Sequence, residues 1–414
     1  MLRILLIALL VVSFSTHPVK ADHKVEHTQV VPTDGKEKSF DDLAATLRSH
    51  PEIAAYASRV EASKEYAQGE LGLPDPMVFL EQEDYRFKSN MGRGGGDTMI
   101  GFRQAIPNRS AREARSGRLA AESEKNRLLQ EYAFSAMKSR MIATLAQIRK
   151  IEQLEKIVRE QKNLLKTESR SLKGGIAANR ANPSSLSMTE AETAEIDIML
   201  AELDEERHEA EAMLQNMLGH APRSVALPEM TVFSWDEDSN ATYPVIIAGL
   251  DIDIAKKDVD MRDAEYGPNF EIQASAGRMD GGDQGGSIMV GVSIPLWAAD
   301  SQAPRLRGAK AALSATRLDQ DMIRRNVTQK LVHLKAQIDT SDQKIVLLGK
   351  KETLLQDVAK ASSREYEAGK SDFAMVLKAK REAFSVRSQR ITEEARRTAL
   401  IAEFNHYFKK EDVQ

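Results

Sequence analysis

Cysteine is absent from all 414 residues of the chain. That excludes disulfides, thiolate metal sites and a lipid anchor on an N-terminal cysteine. Aromatic residues are scarce, 5% against 29% charged, a balance that suits long solvent-facing helices better than one compact globule. No apolar run approaches the roughly 20 residues a membrane-spanning helix needs. The longest stretch, Ile4 to Val12, follows Arg3 and precedes Val19-Lys20-Ala21. This is the pattern of a secretory signal peptide over residues 1–21. Its removal takes Lys+Arg from 58 to 56 against 62 Asp+Glu, a formal charge of −6, which argues against a nucleic-acid partner. A meeting with a membrane must then go through a β-barrel or the protein surface.

Catalytic sets are also missing. None of the eight histidines forms the His-Glu-x-x-His pair of zinc hydrolases. His23 and His27, with Glu26 between them, fall in a polar N-terminal stretch, residues 22–38, that reads as a flexible start. Gly92 to Gly96 lacks the Gly-Lys-Ser/Thr ending of a phosphate loop. No catalytic, cofactor-binding or metal-ligating residue is assigned, and an enzyme is not expected.

What the chain does have is an internal duplication. His50-Pro51 matches Tyr243-Pro244, and Leu73-Pro74-Asp75-Pro76 matches Tyr266-Gly267-Pro268. Met99-Ile100-Gly101-Phe102 with Ile106-Pro107 matches Met289-Val290-Gly291-Val292 with Ile294-Pro295. Ser169 to Gly175 matches Ser363 to Gly369. Two pseudo-equivalent units follow: a first repeat over 39–219, a linker over 220–242 holding Pro222, Pro228 and Trp235, and a second repeat over 243–410, with a short tail at 411–414. The linker is expected to pack around the outside of the helices.

Each repeat carries a strand pair, at about 77–106 and 268–295. In the second, Phe270, Ile272, Ala274 and Ala276 alternate with Glu271, Gln273, Ser275 and Gly277. Beyond a glycine-rich turn, Ile288, Val290, Val292 and Ile294 alternate with polar or small residues. In the first, Met77 to Phe87 carries Glu81, Glu83, Asp84 and Arg86, so neither face reads as cleanly apolar. A helix is expected from Ser39, an N-cap candidate, to near Gly72. Long helical stretches follow the hairpins. Met137, Met141, Leu145, Ile148, Ile151, Leu154 and Val158 form one seam; Leu331, Leu334, Ile338, Ile345, Leu348 and Leu355 form another, with Ser341 at one seam position. Both suit antiparallel coiled-coil packing or an ordinary bundle core. Breaks are expected at Gly174-Gly175 and Gly369, each followed by a returning helix.

Four strands cannot close a barrel, since the smallest outer-membrane barrels have about eight, and open edges in lipid cost several kcal/mol per unsatisfied backbone group. The strands must be shared between copies of the chain. Phe270, Ile272, Ile288, Val290, Val292 and Ile294 would face lipid, polar faces would line the lumen, and Pro76, Pro107, Pro268 and Pro295 would mark the joints between barrel and helices.

In their order and spacing these segments resemble the TolC-like outer-membrane efflux channels. The carriers are Leu73-Pro74-Asp75-Pro76, Gly101 to Pro107, Gly291 to Pro295, and Tyr366-Glu367-Ala368-Gly369 with Val376-Leu377. The resemblance implies a mainly α chain with a small membrane β part, assembled as a homotrimer with a twelve-stranded barrel and a twelve-helix tunnel. It implies outer-membrane localisation with the helical part in the periplasm. It also implies docking at Gly175, Gly369 and the adjacent Tyr366 to a periplasmic adaptor and an inner-membrane pump of the RND type. The Pro-Asp-Pro start and compact length are most similar to the heavy-metal cation efflux branch. Relatives often carry an acid before the Val-Leu that follows the tip glycine. Met375 stands there in the second repeat and Ser184 in the first, so an aspartate ring is not expected. Met375 with Ser184 is a candidate constriction, or Met375 simply packs. Two other readings stay open, a periplasmic adaptor and a soluble coiled-coil scaffold.

Overall fold

The computed structural model describes residues 39–83, 96–179, 181–220, 227–279 and 282–409, and every element lies in the unit Lys38–Gln414. Helix α1, Phe40–Leu47, begins at a reciprocal cap: Ser39 Oγ accepts from the Asp42 N–H at 3.2 Å, and the Asp42 carboxylate accepts from the Ser39 N–H at 3.1 Å. The helix does not run on to Gly72. Pro51 cannot continue it and holds His50 extended. A second helix, α2, Pro51–Gly69, starts there, with His50 Nδ1 accepting the Glu52 N–H at 3.3 Å.

Strands β1, Met77–Glu83, and β2, Asp97–Ile106, come next, then α3, Arg109–Ala177, and α4, Pro183–Leu218. The second repeat gives α5, Tyr243–Ala264, β3, Asn269–Arg278, β4, Gln284–Ser293, α6, Gln302–Glu367, and α7, Phe373–Asn405. The strands form one antiparallel sheet in chain order, and β2 beside β3 joins the two repeats. The signal-peptide and flexible-start residues, Asp84 to Phe87 of the expected first strand, the glycines at 92–95, residues 221–226, Asp280-Gly281 and the C-terminal tail lie outside the described residues.

At 1.5 Å per residue, the 69 residues of α3 span about 104 Å. The expected break at Gly174-Gly175 is not where α3 ends: the helix continues to Ala177 and is capped at Ala178. Two glycines lower helix propensity by only about 1 kcal/mol each, and the chain reverses at Asn179, in the left-handed region at φ 56°. In the second repeat the break falls as expected. Gly369, at φ 71°, lies just past α6, and the Lys370 N–H reaches back to the Glu365 carbonyl at 2.8 Å.

Both seams are packed. Met137, Met141, Leu145, Ile151 and Val158 are buried, as are Leu331, Leu334 and Ile338. Ile345, Leu348 and Leu355 are only half-buried. Ser341, buried in the seam, donates its hydroxyl to Glu393 Oε1 at 2.8 Å. Helices α1 and α2 lie over the middle of α3 and the end of α4, through Leu43, Leu47 and Ile53 against Met141 and Leu214. In the second repeat Val245 packs with Leu331, Ile401 and Phe404.

The described part of the linker lies on this second cluster as expected: Trp235 meets Phe404 edge-on at 6.0 Å. Asn405 holds it by two bonds, accepting the Phe233 N–H at 3.0 Å and donating to the Thr231 carbonyl at 2.8 Å. Replacing Asn405 with Ala leaves both backbone groups without their partner, at about 1–3 kcal/mol each if they stay dry. The linker should then open locally, seen as faster chymotryptic cleavage at Phe233 and Trp235 with the helical signal in circular dichroism unchanged. Wild-type cleavage rates would refute the clamp.

Candidate functional site

Strand register decides what the sheet can do. Val78 pairs with Phe102, Phe102 with Ala274, and Ala274 with Ile288. One step along, Leu80, Ile100 and Ala276 align; one step the other way, Ile272 lies beside Val290. Because side chains alternate across a strand, these rows make one apolar face over all four strands. Ile288, Leu80, Val78 and Val290 on it are 80, 75, 71 and 66% exposed. Phe270, Ile272, Val292 and Ile294 are exposed as well, so the six residues expected to face lipid lie together on it. Nothing among the described residues covers this face.

The first strand is tidier than its sequence suggests. Glu81 and Glu83 share the opposite face with Met77 and Phe79, leaving Val78 and Leu80 among the apolar rows. That opposite face is mixed, with Met77, Phe79, Met99 and Met289 beside its polar residues, and it carries Arg103, whose guanidinium donates to Gln273 Oε1 at 3.1 and 2.9 Å. It also meets Glu271 at 3.4 Å and lies 5.8 Å over the Phe79 ring. Ser275 and Ser287 bond across β3 and β4 at 2.9 Å. Gly101 is required here, because a Cβ would sit 2.5 Å from the Phe79 ring and 2.7 Å from the Ala274 carbonyl. The Arg103 cluster was not singled out from sequence; only the β2–β3 register, a contact 170 residues apart, brings it together.

Pro76 and Pro268 precede β1 and β3, while Pro107 and Pro295 follow β2 and β4. At the first exit Asn108 caps α3 through the Ser110 N–H at 2.9 Å. It also ties the repeats together, donating Nδ2 to the Ala264 carbonyl at 2.7 Å and its N–H to Asn269 Oδ1 at 2.8 Å.

At the far ends of the long helices, Gly175 lies inside the last turn of α3, with room for a Cβ only 2.9 Å from that of Ala181. Gly369 has open space around it. Tyr366 is half-buried and meets Phe373 edge-on at 5.4 Å. Ser184 and Met375 occupy the first turns of α4 and α7; both are exposed, Met375 at 56%, so Met375 does not pack within its own chain. Ion pairs stitch this half together: Lys380 with Glu168, Arg381 with Glu192, and Arg390 with Glu352 at 2.7 Å. A groove of about 1190 Å³ runs between α3, α4, α6 and α7, lined by Leu154, Ile196 and Phe384 together with Glu195, Glu202 and Lys344. Among the described residues no three His, Asp or Glu side chains cluster to hold a metal ion.

Midway, the repeats meet at an aromatic cluster that sequence reading did not identify. The Tyr132 ring lies 5.6 Å from Tyr243 and stacks on His406 at 5.7 Å and 14°. Burial pushes the Tyr132 phenol up to about 12. The His406 ring donates to the Glu403 carbonyl at 2.5 Å, and burial holds its imidazole below the usual histidine range.

Residues 247–403 match the family model described as outer membrane efflux protein. Solved structures share the fold. The outer-membrane channel OprN is 16% identical over 89% of both chains, with a TM-score of 0.76. The outer membrane protein VceC from Vibrio cholerae is 15% identical over 89% of this chain and 95% of its own, with a TM-score of 0.72. The open-state MtrE outer membrane channel of Neisseria gonorrhoeae is 14% identical over 89% and 88%, with a TM-score of 0.73. No curated protein matches the chain.

The buried imidazole gives the junction a pH dependence. His406 is neutral when folded and titrates near 6.5 when unfolded. Between its depressed folded value and that point, the unfolded chain binds more protons, so stability falls as pH drops below about 6.5 and is fully present above it. Arg140 and Lys330 disfavour the imidazolium, and Glu403 favours it. The melting temperature should decline between pH 7 and 5, and His406→Phe, which keeps a ring on Tyr132, should flatten that decline. Parallel profiles for the two proteins would refute it.

Proposed function

We propose that this chain is the subunit of an outer-membrane efflux duct, conducting its cargo passively from a periplasmic adaptor and an inner-membrane pump to the exterior. The observation that carries the reading is the sheet: one aliphatic face, an opposite face that carries the polar Arg103 cluster, and two edges, β1 and β4, with no partner among the described residues. Such a sheet suits lipid on one side and water on the other, and in lipid its edges must be closed. Three copies of four strands give a twelve-stranded barrel. The helical part then stands in the periplasm.

The duplication supplies the geometry of closure. Across the repeats β2 pairs with β3, and α3 packs against α5 and α7. The equivalent contacts for the second repeat run to another copy: β4 beside β1, and α6 against α2 and α4. Helix α6 leaves Leu318, Val346, Leu347 and Leu354 exposed, and α4 leaves Met188 and Ile198 exposed, which gives those contacts apolar surface to cover. A soluble scaffold or an adaptor has no use for the aliphatic sheet face, which ranks both below the duct.

The finer readings rest on the resemblance. The helix ends at Gly175, Tyr366 and Gly369 are the docking surface for the adaptor and an RND-type pump, Ser184 with Met375 is the narrowest ring, and heavy-metal cations are the cargo. The joints at Pro76, Pro107, Pro268 and Pro295 mark the water boundary of the barrel. A duct needs no covalent chemistry; the pump supplies the energy.

Density-gradient fractionation of native membranes tests the reading. The chain should run with the outer membrane and migrate near three times its mass until boiled; a soluble periplasmic monomer would overturn the duct. The double variant Val290→Arg, Val292→Arg should lose membrane assembly, since each charge costs roughly 2–4 kcal/mol near the midplane. Normal assembly would reject the assigned lipid face. A bulky charged residue at Gly369 should reduce export while leaving the heat-sensitive oligomer intact, and unchanged export would remove docking from that turn.

A further inference from the structure

The two repeats differ at one place where they leave the sheet. After β2, Pro107 is followed at once by Asn108, the cap of α3. After β4, five further residues, Leu296 to Asp300, stand between Pro295 and Ser301, the cap of α6. The insertion is a built turn. The Asp300 and Ser301 N–H groups both donate to the Trp297 carbonyl at 3.1 Å, and the Ala303 N–H donates to the Ala298 carbonyl at 2.8 Å. It displays Leu296 and Trp297, 79 and 76% exposed. A large aromatic held this open by an ordered turn has something to cover.

The first repeat shows what a strand exit does. Asn108 docks on the joint between α5 and β3, at Ala264 and Asn269. Residues 264 and 269 correspond, at offsets of 193 and 192, to 71 and 77 in the first repeat. That joint, between α2 and β1, is equally well built. Arg112 Nη1 donates to the Leu71 and Gly72 carbonyls at 2.7 and 3.2 Å, and Gln104 Nε2 donates to the Pro74 carbonyl at 2.8 Å. Its backbone is satisfied by its own chain, yet its side chains are bare: Leu71 is 52% exposed, Leu73 51%, and Tyr66 on the last turns of α2 67%. The two bare patches flank opposite edges of one sheet, β4 on one side and β1 on the other.

We infer that the Leu296–Trp297 turn is a plug that seats on the Leu71–Leu73 joint of a second copy of this chain. The inference rests on the duct reading, which places β4 beside β1 of the next copy, and it adds the contact that locks this seam at the edge of the barrel. Inside the chain the equivalent joint is held by the polar clasp of Asn108; between copies the inserted residues replace that clasp with apolar contact. The partner is fixed by three observations: the position dictated by the repeat, the matching apolar character of both patches, and opposite charge beside them, exposed Asp75 on the joint and exposed Arg307 one turn into α6.

The missing cysteines make the test clean. In a Leu73→Cys, Leu296→Cys protein the introduced thiols are the only ones present. Within one chain they flank opposite edges of four strands, roughly 14 Å or more apart at about 4.8 Å per strand, beyond disulfide reach of about 7 Å. In native outer membranes, mild oxidation should yield covalent dimers and trimers that survive boiling without reductant, and neither single variant should. A second variant reads the same contact without cysteines. With Trp235→Phe, the remaining Trp297 should emit at short wavelength and be shielded from both aqueous acrylamide and brominated phospholipid. A heat-sensitive oligomer that yields no covalent bands, with Trp297 quenched by the brominated lipid, would overturn the plug and make the turn a lipid contact. Quenching by acrylamide would overturn it as well, leaving the turn in water. If the unsubstituted protein forms no heat-sensitive oligomer, the duct reading itself fails, and the plug with it.

Discussion

Backbone hydrogen bonding at the edges of an aliphatic-faced sheet is the constraint from which the rest of this architecture follows. A strand edge in water loses little, because water replaces the missing partner. An edge beside hydrocarbon has no such substitute, and each unpaired group costs several kcal/mol. The four strands carry Val78, Leu80, Ile100, Phe102 and Ile288 on an exposed aliphatic face, the one that would meet hydrocarbon in the proposed duct, and among the described residues they end at two strands paired on one side only. The same residues that call for lipid thus call for further copies. On the opposite face Gly101, Ser275, Gly277 and Ser287 are small, and Gly101 leaves the space that the Phe79 ring fills.

The helices meet a different limit. In the proposed duct the wall is one helix thick with water on both sides, so each helix buries only narrow stripes against its neighbours. That explains why α3 and α6 are long yet rich in charge, and why their seams are single rows rather than a broad core. The narrow seam leaves stability to be gathered elsewhere. About midway along α3 and α6 it comes from the added α1, the start of α2 and the linker, which bury Leu43, Leu47 and Phe404 completely. Toward the far ends Leu165, Ile196 and Leu377 continue the buried row, and pairs such as Arg390 with Glu352 run beside it.

Much of this is legible in the sequence, for identifiable reasons. The alternation in β3 and β4 is clean because both faces meet uniform surroundings along their length. The seams read correctly because packing against one neighbour forces a heptad-like repeat. What escapes is whatever depends on register or on distant contacts. Glu81 and Glu83 obscure the first strand because nothing in the local sequence says that they share the face that carries Arg103. The break after Leu47 is missed because His50-Pro51, read as a landmark of the repeat, also stops a helix. Gly174-Gly175 marks the neighbourhood of a turn but not the turn itself, since a helix supported by neighbours tolerates glycine. The Tyr132–His406 cluster brings together residues 274 apart, invisible to any periodicity.

Duplication explains why the departures between repeats carry more information than the similarities. Two equal copies would make every seam of the assembly alike, whether inside a chain or between chains. Natural selection of stability acts on them differently, because the seam within a chain closes intramolecularly while the seam between chains must overcome the entropy of association. The inner seam here is clasped by Asn108, a short polar residue whose bonds are worth about 1 kcal/mol each. The outer seam is flanked by an inserted leucine and tryptophan and by uncovered Leu71 and Leu73. Larger apolar area is the expected response where the entropic cost is larger, so the five-residue insertion is placed where the architecture most needs additional free energy.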